Sequence, residues 1–135
     1  MRAIILLAFS LFWQVCGYCA GSTLGASTCG RWLENKSDDI RAQSEVKFKN
    51  NINDIIPLFV AQQNRALDRR WLLGFVSGAS AAMEADLLAT VDAESVVLWI
   101  DNYCASHPID GVPLAASMLV IELEKKAKKI SSSRK

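Results

Sequence analysis

Two cysteines constrain this chain more than any other feature. Cys29, in Thr28-Cys-Gly-Arg-Trp32, and Cys104, in Trp99-Ile-Asp-Asn-Tyr-Cys104-Ala-Ser-His-Pro108, are the only cysteines left once the N-terminus is set apart as an export signal. Each lies close to a Trp or Tyr within an apolar helical pattern. An exported chain with two cysteines is expected to join them, which points to an oxidising compartment and removes a free thiol from the chemistry.

Residues 1–22 read as that signal. Arg2 gives a short basic start, Ala3 to Val15 are apolar apart from Ser10 and Gln14, and Ala20-Gly21-Ser22 offers small residues for cleavage. The apolar stretch is shorter than the ~20 residues that span a bilayer, so no stable membrane insertion is expected after cleavage. Cys16-Gly-Tyr-Cys19 has the spacing of a redox pair, but no strand precedes it and no alternation of strand and helix follows. The expected compartment is the periplasm.

What remains of the 135 residues suffices for one small domain, residues 23–124, with one core. The full chain has 15 basic and 14 acidic side chains, and Arg2 leaves with the signal. The mature protein is therefore electrically balanced and lacks the field that attracts nucleic acid. Positive charge gathers only in residues 125–135, as Lys125, Lys126, Lys128, Lys129, Arg134 and Lys135. That segment is expected to be a solvated helix end passing into a disordered tail.

Periodicity predicts an all-α fold of four to five helices. Thr28 can cap a short helix through Cys29, Trp32 and Leu33 that ends in Asn35-Lys-Ser-Asp-Asp39. Residues 38–64 read as a variable insertion, because Val46 and Phe48 alternate as in a strand and Pro57 interrupts the helical spacing of Ile52, Ile55, Ile56, Phe59 and Val60. A clear helix runs from about Asn64 to Met83, with Leu67, Trp71, Phe75 and Val76 as its apolar face. Its small stripe of Gly74, Gly78 and Ala82 is expected to lie against another helix. Asp92 caps the next helix, carrying Val96, Ile100, Tyr103, Cys104 and His107, and Pro108 stops it. The last helix opens at Asp110 or Gly111 and turns Leu114, Met118, Leu119 and Leu123 inward.

No catalytic constellation emerges. Cys104 and His107 lie one turn apart, but the pair needs a free thiol, and His107 reads instead as a helix terminator using a ring nitrogen on a final carbonyl. Gly78-Ala-Ser80-Ala-Ala82 lacks the strand that a nucleophile elbow requires. One His and two paired thiols leave no metal set, and no glycine loop follows a strand to cradle phosphate, so neither metal nor cofactor is expected. The chain does not read as an enzyme.

The order of motifs carries a resemblance. Cys29-Gly-Arg-Trp32-Leu33, Trp71-Leu-Leu-Gly-Phe-Val-Ser-Gly78, Asp92-Ala-Glu-Ser95 and Leu98-Trp-Ile-Asp-Asn-Tyr-Cys104-x-x-His107-Pro-Ile-Asp110 together resemble the Rap/Tai-type immunity proteins of bacterial type VI secretion. Those are small periplasmic helical proteins similar in fold to the acid-stress chaperone HdeA. The resemblance implies an HdeA-like domain clipped by a disulfide, often a homodimer, that binds another protein. It implies either a secreted effector neutralised by direct binding or, alternatively, a client shielded in acid. The expected partner-facing surface is the insertion, with Ile55, Ile56, Leu58 and Phe59 as apolar anchors rimmed by Lys47, Lys49, Asn50, Asn51 and Asp54, together with the loop 105–113. The same apolar residues could instead complete the core. Trp32, Trp71, Trp99 and Tyr103 are expected to be chiefly core residues.

Overall fold

The computed structural model describes residues 28–133. The segment 1–22 expected to be an export signal, with Cys16 and Cys19, lies outside the described residues, as do 134 and 135. Within them the chain is all-α: α1 (Cys29–Glu45), a 3₁₀ turn (Val46–Phe48), α2 (Ile52–Ala82), α3 (Ala93–Ser106) and α4 (Val112–Ser133). No helix among them is long and apolar enough to cross a membrane.

Local chemistry places the helix starts. Thr28 Oγ1 accepts from Arg31 N at 3.3 Å, and Asp92 Oδ1 accepts from Ser95 N at 2.6 Å. That bond from the Ser95 backbone holds the Asp92 carboxyl below its usual range. At the far end of α3, His107 Nδ1 donates to the Tyr103 carbonyl at 3.0 Å, so the one histidine is a helix terminator. Two further N–H groups at the start of α1 find carbonyls in the loop after α3: Cys29 N donates to Asp110 O at 2.8 Å and Gly30 N to Pro108 O at 3.0 Å. Beside these bonds, Cys29 and Cys104 form a disulfide that joins α1 to α3 across 75 positions of chain.

The core collects around that staple. Cys29, Trp32, Leu72, Val76, Ile100 and Leu119 are fully or almost fully buried, and Val96, Val112 and Ala115 close the gaps between them. Burying each large apolar side chain contributes about 1.5–3 kcal/mol. Trp32 is wholly inside, whereas Trp71, Trp99 and Tyr103 are half-buried at the margin.

Several expectations are corrected. α1 does not end at the polar run 35–39 but continues to Glu45, and α2 begins at Ile52, so most of 38–64 is regular helix. Pro57 lies only six residues into α2, where its missing N–H removes a single early hydrogen bond. Asn51 starts the helix firmly by accepting from Asn53 N at 2.9 Å. The solvated helix end expected from 125 runs further than anticipated, as helix to Ser133, supported by Lys125–Glu122 and Lys128–Glu124 pairs. On α4 the inward residues are Val112, Ala115, Ala116, Leu119 and Leu123, while Leu114 and Met118 are exposed. Small alanines permit the close approach to the neighbouring helices that Leu114 and Met118 would prevent.

The largest correction concerns α2. Its buried face is Arg65, Asp68, Leu72 and Val76, whereas Leu67, Phe75, Gly74, Gly78 and Ala82 are exposed. No heavy atom beyond the helix's own backbone and the adjoining residues lies within 4 Å of where a Cβ would sit at Gly74 or Gly78. The small stripe faces no other helix among the described residues. Consequently Gly78→Leu is expected to leave the fold of dilute protein intact and to raise its stability by about 0.5–1 kcal/mol through helix propensity. A urea midpoint lowered by this substitution would show a contact that the fold does not contain.

Candidate functional site

Two features stand out, and they have different chemistry. The first is an ionic node at the base of the α1–α2 hairpin. Asp101 is buried in the middle of the apolar face of α3. Its Oδ1 accepts from Trp32 Nε1 at 2.6 Å and from Arg65 Nη2 at 2.9 Å, and its Oδ2 accepts from Lys36 Nζ at 2.8 Å. The Arg65 guanidinium also lies over the Trp32 ring, 4.6 Å from its centroid. One turn along α2, Asp68 accepts from Asn35 Nδ2 at 2.8 Å. Burial by itself would raise the Asp101 pKa. The bonds from Lys36, Trp32 and Arg65 outweigh it and hold the carboxyl below the ordinary value.

An open groove of about 430 Å³ lies over this node, walled by Lys36, Arg65, Arg69, Glu94, Leu98 and Asp101. Asp101 is fully engaged and permanently ionised near neutrality, so it is not poised to exchange a proton. Arg65 Nη1 is a buried donor with no hydrogen-bond partner among the described residues. The node is a structural clamp that ties α1, α2 and α3 together. Sequence reasoning missed it, although Trp32, Asn35 and Lys36 share a helix face, and so do Arg65 and Asp68. Asp101 also falls between Val97 and Cys104 on the apolar stripe of α3.

The other apparent catalytic elements are also engaged. Ser80 donates its hydroxyl to the Ala85 carbonyl and accepts from Leu87 N at 3.1 Å. It closes the C-terminus of α2, where Glu84 takes a left-handed φ of 49°. Tyr103 donates to Asp110 Oδ2 at 2.8 Å, which raises the phenol pKa, and its ring stacks on His107. No group of three or more metal-binding side chains occurs among the described residues.

The second feature is the tip of the α1–α2 hairpin. No residue from 43 to 64 is fully buried, and the core contains nothing from this stretch. Apolar side chains nevertheless crowd it: Ile40 on α1, Val46 and Phe48 in the 3₁₀ turn, and Ile52, Ile56, Phe59 and Val60 on α2 are all exposed. Phe48 is 81% and Phe59 56% accessible. Of the four anchors expected from sequence, Ile56 and Phe59 face solvent, whereas Ile55 and Leu58 are half-buried. They do not complete the core. Lys47, Lys49, Asn50, Asn51 and Asp54 are exposed around them, giving an apolar centre with a polar rim.

The expected second half of this surface lies elsewhere. The loop after α3 is bonded to the first residues of α1, while the hairpin tip follows its last, so α1's length of about 25 Å separates them. Ile109 at that loop is 92% exposed, but it does not join the tip in one patch. Compared with known proteins, the chain matches no family model, no curated sequence and no solved structure.

Proposed function

We propose that this chain is an exported protein-binding domain whose α1–α2 tip docks into a partner. In the fuller reading it is a periplasmic immunity-type protein that neutralises a secreted effector by direct binding. The observation that carries the proposal is the hairpin tip itself. Exposed phenylalanines and isoleucines that contribute nothing to the core are costly in a soluble monomer unless a partner covers them. The disulfide suits an oxidising compartment, and the clamp at Asp101 keeps the hairpin rigid, which limits the entropy lost on docking. The reading assigns no catalytic step to any residue.

The test uses the product of the gene immediately upstream, exported into a host periplasm alone or with this chain. Growth is expected to stop in the first case and to recover in the second. Phe48→Ala/Phe59→Ala should abolish that protection while shifting stability by no more than about 0.5 kcal/mol, since both rings are outside the core. Full protection by this variant would place binding elsewhere. An upstream product that neither harms the host nor binds the chain would remove the effector reading.

One observation favours the acid-chaperone alternative. A buried carboxylate whose folded pKa is depressed withdraws its stabilisation in acid, as Asp101 does. Reversible unfolding near pH 3 with client proteins kept soluble would support that reading, whereas tight binding of one partner at neutral pH supports the first.

A further inference from the structure

Three rings stack along α3 at four-residue intervals. Trp99 lies against Tyr103 with ring centroids 5.5 Å apart, and Tyr103 lies against His107 at 4.4 Å. Two hydrogen bonds fix the far end of this ladder, from Tyr103 to Asp110 Oδ2 and from His107 to the Tyr103 carbonyl. Continued towards the start of the helix, the same series runs through Ser95 to Val91. Neither carries a ring, and a cavity of about 310 Å³ opens beside them. Tyr103 does not line that cavity, whereas Ser95 and Val91 do. The cavity therefore meets the side of Trp99 that is turned away from Tyr103.

The remaining walls decide what fits there. Val96 of α3 and Leu119 and Leu123 of α4 form an apolar floor, and all three are buried core residues. Such a floor returns no hydrogen bonds to a sugar or a peptide backbone, which would lose those it made to water. It suits a flat apolar ring, and the uncovered side of Trp99 offers that ring a stacking surface. A cavity of about 150 Å³ accepts benzene, so this one has room for two fused rings.

Charge at the rim narrows the choice. Glu122 and Lys126 both border the cavity from α4. Glu122 is held by Lys125 at 3.0 Å, whereas Lys126 is exposed and makes no ion pair among the described residues. An anion on the ring would meet Lys126, and a cation there would be repelled by it. We propose that this cavity binds a small planar aromatic carboxylate, stacked on Trp99 with its charge at Lys126. No residue of α1 or α2 lines the site, so the inference stands apart from the hairpin tip and its partner.

NMR titration of protein recovered from a host periplasm, with naphthoate as the probe, tests the site. The indole N–H resonance of Trp99 should shift saturably, while that of the wholly buried Trp32 stays in place. Naphthamide, equal in shape but uncharged, should bind about fivefold more weakly, the scale of one exposed ion pair. Lys126→Gln should lower the affinity for naphthoate to that for the amide and leave the amide unaffected. Ser95→Phe should place a fourth ring of the protein's own in the cavity and abolish binding of both probes without lowering the melting temperature. The absence of a saturable Trp99 shift at up to about 10 mM naphthoate overturns the proposal. So does undiminished binding to a folded Ser95→Phe, which would put the ligand elsewhere. Equal affinity of the wild type for acid and amide also overturns it, because Lys126 would then select nothing.

Discussion

Replacing both cysteines, as Cys29→Ala/Cys104→Ala, should cost about 4 kcal/mol of folding stability. The bond closes a loop of 75 positions, and the chain-entropy relation gives a figure of that order for so long a loop. A small domain has a net stability of only about 5–15 kcal/mol, so the variant should unfold at a far lower urea concentration and bring its melting point near physiological temperature. The site explains why little else compensates. Apart from the disulfide, the first turn of α1 is tied to the rest of the molecule by the burial of Trp32, by its Nε1 bond to Asp101 and by two backbone bonds to the loop after α3. A loss below about 1 kcal/mol would mean that packing around Trp32 positions α1 unaided, in conflict with the chain-entropy account.

Asp101→Ala should be nearly as damaging, for a different reason. It leaves the Arg65 guanidinium and the Trp32 N–H without their acceptor in a site where both are buried. Breaking a buried ion pair from one side typically costs about 3–5 kcal/mol. Lys36 is partly solvated and can turn outward, so most of the loss comes from Arg65 and Trp32. Replacing the pair together, as Arg65→Met/Asp101→Leu, should cost markedly less than Asp101→Ala, because no unpaired charge remains inside. The pH dependence has a definite sign. Asp101 has a depressed folded pKa, so its stabilisation is complete above the unfolded value of about 3.9 and disappears as pH falls through the lower folded value. Asp101→Asn should therefore flatten the loss of stability below about pH 4. A variant whose denaturation midpoint follows the wild-type acid profile would show that Asp101 is not the group responsible.

The parts of the fold legible in the sequence were those set by local chemistry or covalent logic. The Cys29–Cys104 bond, the Thr28 and Asp92 caps and the His107 terminator each depend on residues within one turn, or on elimination among few cysteines. What misled was the equation of apolar with inward. On α2, Leu67 and Phe75 were expected on the inward face, and Arg65 and Asp68 were not singled out. The fold turns Leu67 and Phe75 outward and Arg65 and Asp68 inward, because Asp101 on a distant helix supplies a buried charge that Arg65 must meet. That pairing spans 36 positions and leaves no periodic trace. Pro57 was misread in the same way: near the start of a helix it removes one bond, whereas in mid-helix it would break the element. Ile56 and Phe59 were legible as an apolar group because the lysine and asparagine that ring them are visible in sequence. Whether they completed the core could only be decided by where α1 and α2 run beyond it.

The central claim is that the hairpin tip binds and does not support the fold. Titration calorimetry of the purified upstream product with wild type and Phe59→Ala, read beside their melting curves, tests it most directly. The account predicts an affinity at least about 30-fold weaker for the variant, as for a binding hot spot, at an unchanged melting temperature. Equal affinity, or a melting point that drops before binding weakens, would contradict it.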